Sequence, residues 1–409
     1  MESNLPQLHA RRAWTRRLAL AAVAGAALLA GCGGGGDATP LPNITAVKVL
    51  GDSLADVGTF GGVKATVQGT STAPELMFPE LIAQSYKIAQ HCNFFSFTGT
   101  TFAPNTAKTG CTNYAIGGGR VNGATSGITA PDPRNIVVQM QAAVAGGNYT
   151  ANDLVLIDGG GNDAADIVGL YLAVGGAAAG SPAQLAAVNA YGTALKTVLP
   201  AATVDANLGS ASGLATVGGL YMAALANRFA DQINTNVLEK GAKQVVLINM
   251  PGITNTPRFQ MVLNGIAAAA GGGTTGTAAR GQAETLFKGW VTAFNGELTK
   301  RFGTNNAVLI IDLQSRFDDQ VANPATYGLT NVTTTACPAT GVGSDGLPTY
   351  SFPTCTATAL TAQTPPAGAT GGSNWWRNYL FSDGFHPTPY GHALAATQIR
   401  TALFNRSWQ

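Results

Sequence analysis

Short apolar runs recur along the 409-residue chain, and each stops at small or polar residues. Val47-Lys48-Val49-Leu50 runs into Gly51-Asp52-Ser53. Tyr114-Ala115-Ile116 runs into Gly117-Gly118-Gly119, and Leu154-Val155-Leu156-Ile157 into Asp158 and three glycines. Gln244 to Asn249 is stopped by Pro251, and Ala307 to Asp312 completes the set. Aliphatic and β-branched runs bounded by turn formers predict buried strands. Between them the apolar spacing turns helical. Residues 78–88 carry Phe78, Leu81, Ile82 and Tyr86 near helical spacing, and residues 135–145 also read as helix. Ala-rich stretches from 164 to 234 read as helices with loops, clearest over 223–237; residues 283–302 and 390–404 complete the helices. Strands alternating with helices predict a parallel sheet covered on both faces, with right-handed crossovers. Three stretches lack periodicity. Residues 56–69 are a Gly-rich loop, 265–279 a low-complexity Gly/Ala/Thr stretch expected to be an exposed loop, and 330–372 a Thr/Pro/Gly-rich inserted loop.

The N-terminus has a different pattern. Arg11, Arg12, Arg16 and Arg17 precede an apolar run from Leu18 to Ala30, too short to span a membrane and suited to a signal peptide. It ends in Leu29-Ala30-Gly31-Cys32, which resembles a bacterial lipobox with Cys32 as the lipidated first residue of the mature protein. Residues 1–31 therefore read as a lipoprotein-type signal, 32–43 as a Gly-rich tether, and 44–409 as one folded domain with insertions near 62–112 and 330–372. Charged residues are only 11% of the chain, well below the usual quarter or so. Removing residues 1–31 takes away four Arg and Glu2, leaving 19 basic and 20 acidic residues. No basic field remains to attract nucleic acid.

Four Cys remain after Cys32: Cys92, Cys111, Cys337 and Cys355. An even number in an exported chain suggests two disulfides, and Cys92–Cys111 with Cys337–Cys355 is the simplest of three connectivities. No Cys-x-x-Cys or His-rich spacing points to a metal. Phe94, Phe95, Phe97 and Phe102 lie between the first two of these Cys, either as core or as the lining of an apolar substrate groove.

Three predicted strands end in turns that carry Ser53, Gly118 and Asn162, and in a parallel sheet the carboxyl ends share one edge. Near the C-terminus Asp383 and His386 sit three apart. A serine needs an adjacent base to act as a nucleophile, and an acid beside that base sets its tautomer. Of the other histidines in the mature chain, His91 has no neighbouring acid and His392 falls inside the last helix. The Ser53 N–H, the Gly118 N–H and the Asn162 amide could bind an oxyanion. Asp52, Asp56, Asp158 and Asp163 could be read as a cation site, but loop hydrogen bonding near the nucleophile is the favoured reading. G-x-S-x-G is absent from the chain, and G-x-G-x-x-G does not follow the first strand.

Gly51-Asp52-Ser53-Leu54, Asn113-Tyr114-Ala115-Ile116-Gly117-Gly118, Gly161-Asn162-Asp163 and Asp383-Gly384-Phe385-His386-Pro387-Thr388 resemble, in order, the four blocks of the GDSL/SGNH hydrolases. Asn249-Met250-Pro251-Gly252 through Thr256-Pro257, Phe294-Asn295 with Leu298, and Leu380-Phe381-Ser382 look like the lecithinase/haemolysin-type branch. The resemblance implies a flavodoxin-like three-layer α/β/α sandwich with a central five-stranded parallel sheet. It also implies a Ser53 nucleophile, a His386 base oriented by Asp383, and oxyanion donors at Ser53, Gly118 and Asn162, with Gly117 as the fallback for Gly118. No metal or organic cofactor is implied. The expected function is an exported serine esterase or lipase acting on a small-molecule or lipid ester. It would meet a membrane only through the anchor at Cys32, as a surface lipoprotein or in secreted form. An acyltransferase using the same site, a carbohydrate acetylesterase and a non-catalytic binding lipoprotein are the alternatives.

Overall fold

Four parallel strands form the central sheet: β1 (Ala46–Leu50), β2 (Asp153–Ile157), β3 (Gln244–Ile248) and β4 (Val308–Ile311), side by side in that order. They belong to a computed structural model that describes residues 41–88 and 91–409, in which Pro42–Gln409 is one unit. The signal, most of the tether and Cys32 lie outside the described residues.

Side chains alternate across the strands. Val155 and Ile157 of β2 point into one core with Leu50, Val245 and Leu247, while Leu154 and Leu156 point into the other with Val47, Val49 and Val246. Two helices, α1 (Phe78–Ser85) and α9 (Pro389–Asn405), cover the second face through Phe78, Ile82, Ile399 and Leu403. The first face is covered by the helices α2 (Ile136–Val144), α3 (Gly161–Gly176), α4 (Pro182–Leu195), α5 (Ala211–Ile233), α6 (Pro257–Ala269) and α7 (Gly273–Phe302). A further helix, α8 (Leu313–Ala322), follows β4. The architecture is α/β/α, as expected, with β2 buried along its whole length. Among the described residues no helix is long and apolar enough to cross a membrane.

The expected fifth strand is irregular. Residues 112–116 run beside β1, with Val49 N–H donating to Thr112 O (3.0 Å) and Tyr114 N–H to Val49 O (2.8 Å). The ladder is interrupted where Gly51 N–H, which a regular parallel pairing would direct to Tyr114 O, donates instead to Gln139 Oε1 (2.8 Å). The sheet therefore has four regular strands and one flanking segment.

Two expected loops are ordered structure instead. Residues 265–279 fall in α6 and α7. The turn between these helices uses Gly271 and Gly272, both at positive φ. A Cβ on Gly276 would meet Ala267 O at 2.5 Å. The small residues there serve close helix packing rather than a loop. Residues 330–372 also fold. Asn331–Thr335 pairs with Tyr379–Phe381, and Ala357–Ala362 is a helix. Trp375, Trp376, Leu360 and the Cys337–Cys355 disulfide form a small core of their own, which local periodicity could not reveal. Cys92–Cys111 closes the other insertion around the hairpin of Phe95–Phe97 and Phe102–Pro104. Loops of 19 and 18 residues are worth about 3 kcal/mol each. Each buried Leu, Ile or Phe is worth about 1.5–3 kcal/mol, so the many buried side chains on the two sheet faces dominate stability.

Candidate active site

The carboxyl end of β1 leads straight into the site. Gly51 is clamped by a buried glutamine of α2: its N–H donates to Gln139 Oε1 (2.8 Å), and Gln139 Nε2 donates to Gly51 O (2.9 Å). A Cβ at position 51 would fall 1.4 Å from Asp158 Oδ1. Only glycine lets the turn pass this carboxyl group. Gly51→Ala is therefore expected to destabilise the protein by about 3 kcal/mol, read as a lower midpoint in urea denaturation. An unchanged midpoint would contradict the close approach. Beyond Gly51, the Asp52 carbonyl accepts from the N–H groups of Ala55 and Asp56 (both 3.1 Å), and Asp52 Oδ1 from Leu54 N–H (3.0 Å). The tight turn presents a partly exposed Ser53.

The partners of Ser53 come from the segment between Tyr379–Phe381 and α9. Ser382 N–H donates to His386 O (2.8 Å), closing a compact loop. Asp383 Oδ1 accepts from the N–H groups of Phe385 (2.8 Å) and His386 (2.7 Å). The His386 Nδ1 lies 2.9 Å from Asp383 Oδ2, and its Nε2 lies 2.8 Å from Ser53 Oγ. Burial alone would raise Asp383, but the charge and hydrogen bond of His386 outweigh it and hold the carboxyl below its ordinary range. An ionised carboxylate only accepts, so Nδ1 carries the proton and Nε2 is free to receive one from Ser53. Burial disfavours the charged ring, yet Asp383, with help from Asp52, raises His386 overall. The structure thus brings together Ser53, His386 and Asp383 in the order that proton removal from a hydroxyl requires.

Gly118 and Asn162 reach the same edge. Among the described residues the N–H groups of Ser53 and Gly118 make no hydrogen bond, whereas Gly117 N–H donates to Asp56 Oδ2 (2.9 Å). Gly118 has φ +81°, a conformation that favours glycine. Asn162 stands in the first turn of α3, its Nδ2 donating to Gly119 O (3.0 Å) and more distantly to Asp52 Oδ2 (3.4 Å). Two groups outside the sequence reading hold this region. Arg120 is paired in two-pronged fashion with Asp166 (2.7 and 3.0 Å) and donates from Nη1 to Gly118 O (2.7 Å). Gln139 is the other. Its only sequence signal is a polar residue on the apolar side of α2.

The remaining acids are spent on backbone. Asp56 accepts from the N–H groups of Gly58, Thr59 and Gly117, and Asp163 from those of Val121 and Asn122. Burial pushes Asp163 up to about 6 and raises Asp52. Burial and the neighbouring Asp52 raise Asp158 well above the ordinary carboxyl value. Among the described residues no group of three or more His, Cys, Asp or Glu is placed to hold a metal ion. Burial pushes His91 down to about 4 and His392 to about 3, so both are neutral.

Ser53, Asn162 and His386 line one open cavity of about 1580 Å³. The Phe cluster does not line it. Phe95 is buried against Tyr114, and Phe97 and Phe102 meet Phe60 in tilted and edge-on contacts outside the cavity lining. The groove reading of those residues is therefore set aside: the cavity walls come from α3, α4, α6 and α7.

The family model described as GDSL-like Lipase/Acylhydrolase matches residues 47–399. A GDSL esterase/lipase of Arabidopsis thaliana is 26% identical over 185 residues, which cover 45% of this chain and 43% of that protein. The chain thus spans less than half the length of this relative.

Proposed function

Since the chain belongs to the GDSL-like lipase/acylhydrolase family, we propose that it hydrolyses carboxylic esters through an acyl-enzyme on Ser53. The observation that carries this reading is the 2.8 Å approach of His386 Nε2 to Ser53 Oγ, with Asp383 on the opposite ring nitrogen. Ser53 Oγ attacks the ester carbonyl while its proton passes to His386 Nε2. The carbonyl oxygen becomes an oxyanion received by the Ser53 N–H, the Gly118 N–H and the Asn162 amide. The C–O bond to the alcohol then breaks, and His386 gives its proton to the departing oxygen. Water, deprotonated by the same ring, attacks the acyl-enzyme and releases the acid with Ser53 regenerated. Arg120 holds the Gly118 carbonyl and so positions the oxyanion turn. The two disulfides support an exported protein, for which Cys32 would be the lipid anchor.

The test is hydrolysis of p-nitrophenyl esters by the purified protein and its Asn162→Ala variant. Losing one oxyanion donor should lower kcat by about 10²–10³-fold, with a smaller change in KM. An unchanged kcat would remove Asn162 from the oxyanion site, and an inactive wild-type protein would contradict the hydrolase reading.

A further inference from the structure

We propose that the groove leading away from Ser53 along α3 is a binding site for a long acyl chain, which makes esters of long-chain fatty acids the substrate class. This rests on Ser53 being the nucleophile.

The groove begins at the reacting hydroxyl. Asn162, Ala165, Gly169, Leu172 and Gly176 all line it, at spacings of three and four residues, and so form one face of α3. At 1.5 Å per residue that face extends about 20 Å from Asn162. The facing wall is another helical stripe, with Met261, Gly265, Ile266 and Ala269 of α6, backed by Ala283 and Leu286 of α7. These walls are apolar, and the charged pair on the rim, Arg258 and Asp345, is bonded to itself. A carboxylate or phosphate on the far end of a ligand would find no partner along the stripes.

Exposure points the same way. Leu185, Met261 and Phe385 are 59%, 39% and 40% exposed, and all three line this cavity. Large apolar groups left in water around one cavity mark a site that something apolar covers. The whole open cavity, about 1580 Å³, exceeds the roughly 300–1,000 Å³ typical of ligand sites, and an acetyl group on Ser53 would leave the stripes of α3 and α6 uncovered. Continuity with Ser53 selects the acyl chain as the occupant, because the groove opens at the atom to which that chain becomes bonded. Small residues keep the channel wide. A Cβ added to Gly169 or Gly265 would meet no atom within 4 Å.

That open space provides the test. Gly169→Phe and Gly265→Phe direct a ring into the groove from positions where the Cβ itself meets nothing and, in helices, without the conformational cost of glycine. Wild-type kcat/KM should rise from p-nitrophenyl acetate to the octanoate and palmitate. In each folded variant, with folding checked by thermal melting, the palmitate-to-acetate ratio should fall at least about tenfold. A second readout does not need turnover: Ser53→Ala should bind p-nitrophenyl palmitate in a calorimetric titration, and Ser53→Ala with Gly169→Phe should bind it at least about tenfold more weakly. A preference for acetate, or a ratio unmoved in both folded variants, would overturn the acyl groove while leaving Ser53 as the nucleophile. Full ester hydrolysis by Ser53→Ala would instead overturn the Ser53 reading, and the acyl groove with it.

Discussion

Ser53→Ala is expected to lower kcat for ester hydrolysis by at least about 10⁴-fold while the protein stays folded. The hydroxyl is partly exposed at the end of a turn, and its recorded side-chain partner is His386. The turn itself is held by Gly51, Asp52 and Gln139, none of which the substitution touches. Losing one part-buried hydrogen bond should change stability by only about 1 kcal/mol. Activity and stability therefore separate, and a urea denaturation curve beside the rate measurement checks both. Some rate above the water reaction should survive, because the oxyanion donors and the groove remain. A variant that lost its fold along with its activity would mean that Ser53 supports the turn rather than reacts.

The second large effect belongs to His386. His386→Ala should cost about 10⁴–10⁶-fold in kcat, since the base and the acid for the leaving alcohol are lost together. Asp383→Asn keeps the ring but loses the charge that fixes its tautomer, and should cost up to about 10⁴-fold. The pH profile distinguishes the two roles. Only neutral His386 can take the proton of Ser53, so kcat/KM should fall as pH drops through the pKa of His386. Burial opposes the charged ring, but Asp383 favours it and raises that pKa above the ordinary imidazole range. The acid limb of the profile should therefore lie above that range in the wild-type enzyme and move to lower pH in Asp383→Asn. A limb that stays in place in this variant would mean that Asp383 does not set the charge of His386.

The strands and the polar groups that end them were readable because each signal is local. An apolar run closed by Gly51-Asp52-Ser53, or by glycines before Asn162, carries its own boundary. The acid and base sit three residues apart and need no tertiary information to be paired. What was not readable depends on distant contacts. Residues 265–279 look unstructured because glycine and alanine carry no periodic pattern, yet Gly276 is small because Ala267 O passes beside it. The 330–372 insertion is ordered by Trp375 and Trp376, which bond back 15 residues to Leu360 and Thr361, and by a disulfide that spans 18 residues, separations that no local periodicity reports. The Phe-rich segment gave an apolar signal with no direction, and its rings turned to Tyr114 and Phe60 rather than into the cavity. Arg120 and Gln139 hold the Gly118 turn and the Ser53 turn by bonds to backbone carbonyls and an N–H, which no side-chain motif announces.

The central claim is that Ser53 is an activated nucleophile. Its most direct test is incubation with a fluorophosphonate followed by peptide mass spectrometry. The serine oxygen displaces fluoride from phosphorus, leaving a stable phosphonyl ester on the attacking residue. The expected result is one adduct, on the peptide containing Ser53, absent from Ser53→Ala and formed much more slowly in His386→Ala. An adduct on another residue, or an unlabelled Ser53 in protein that hydrolyses esters, would contradict the account.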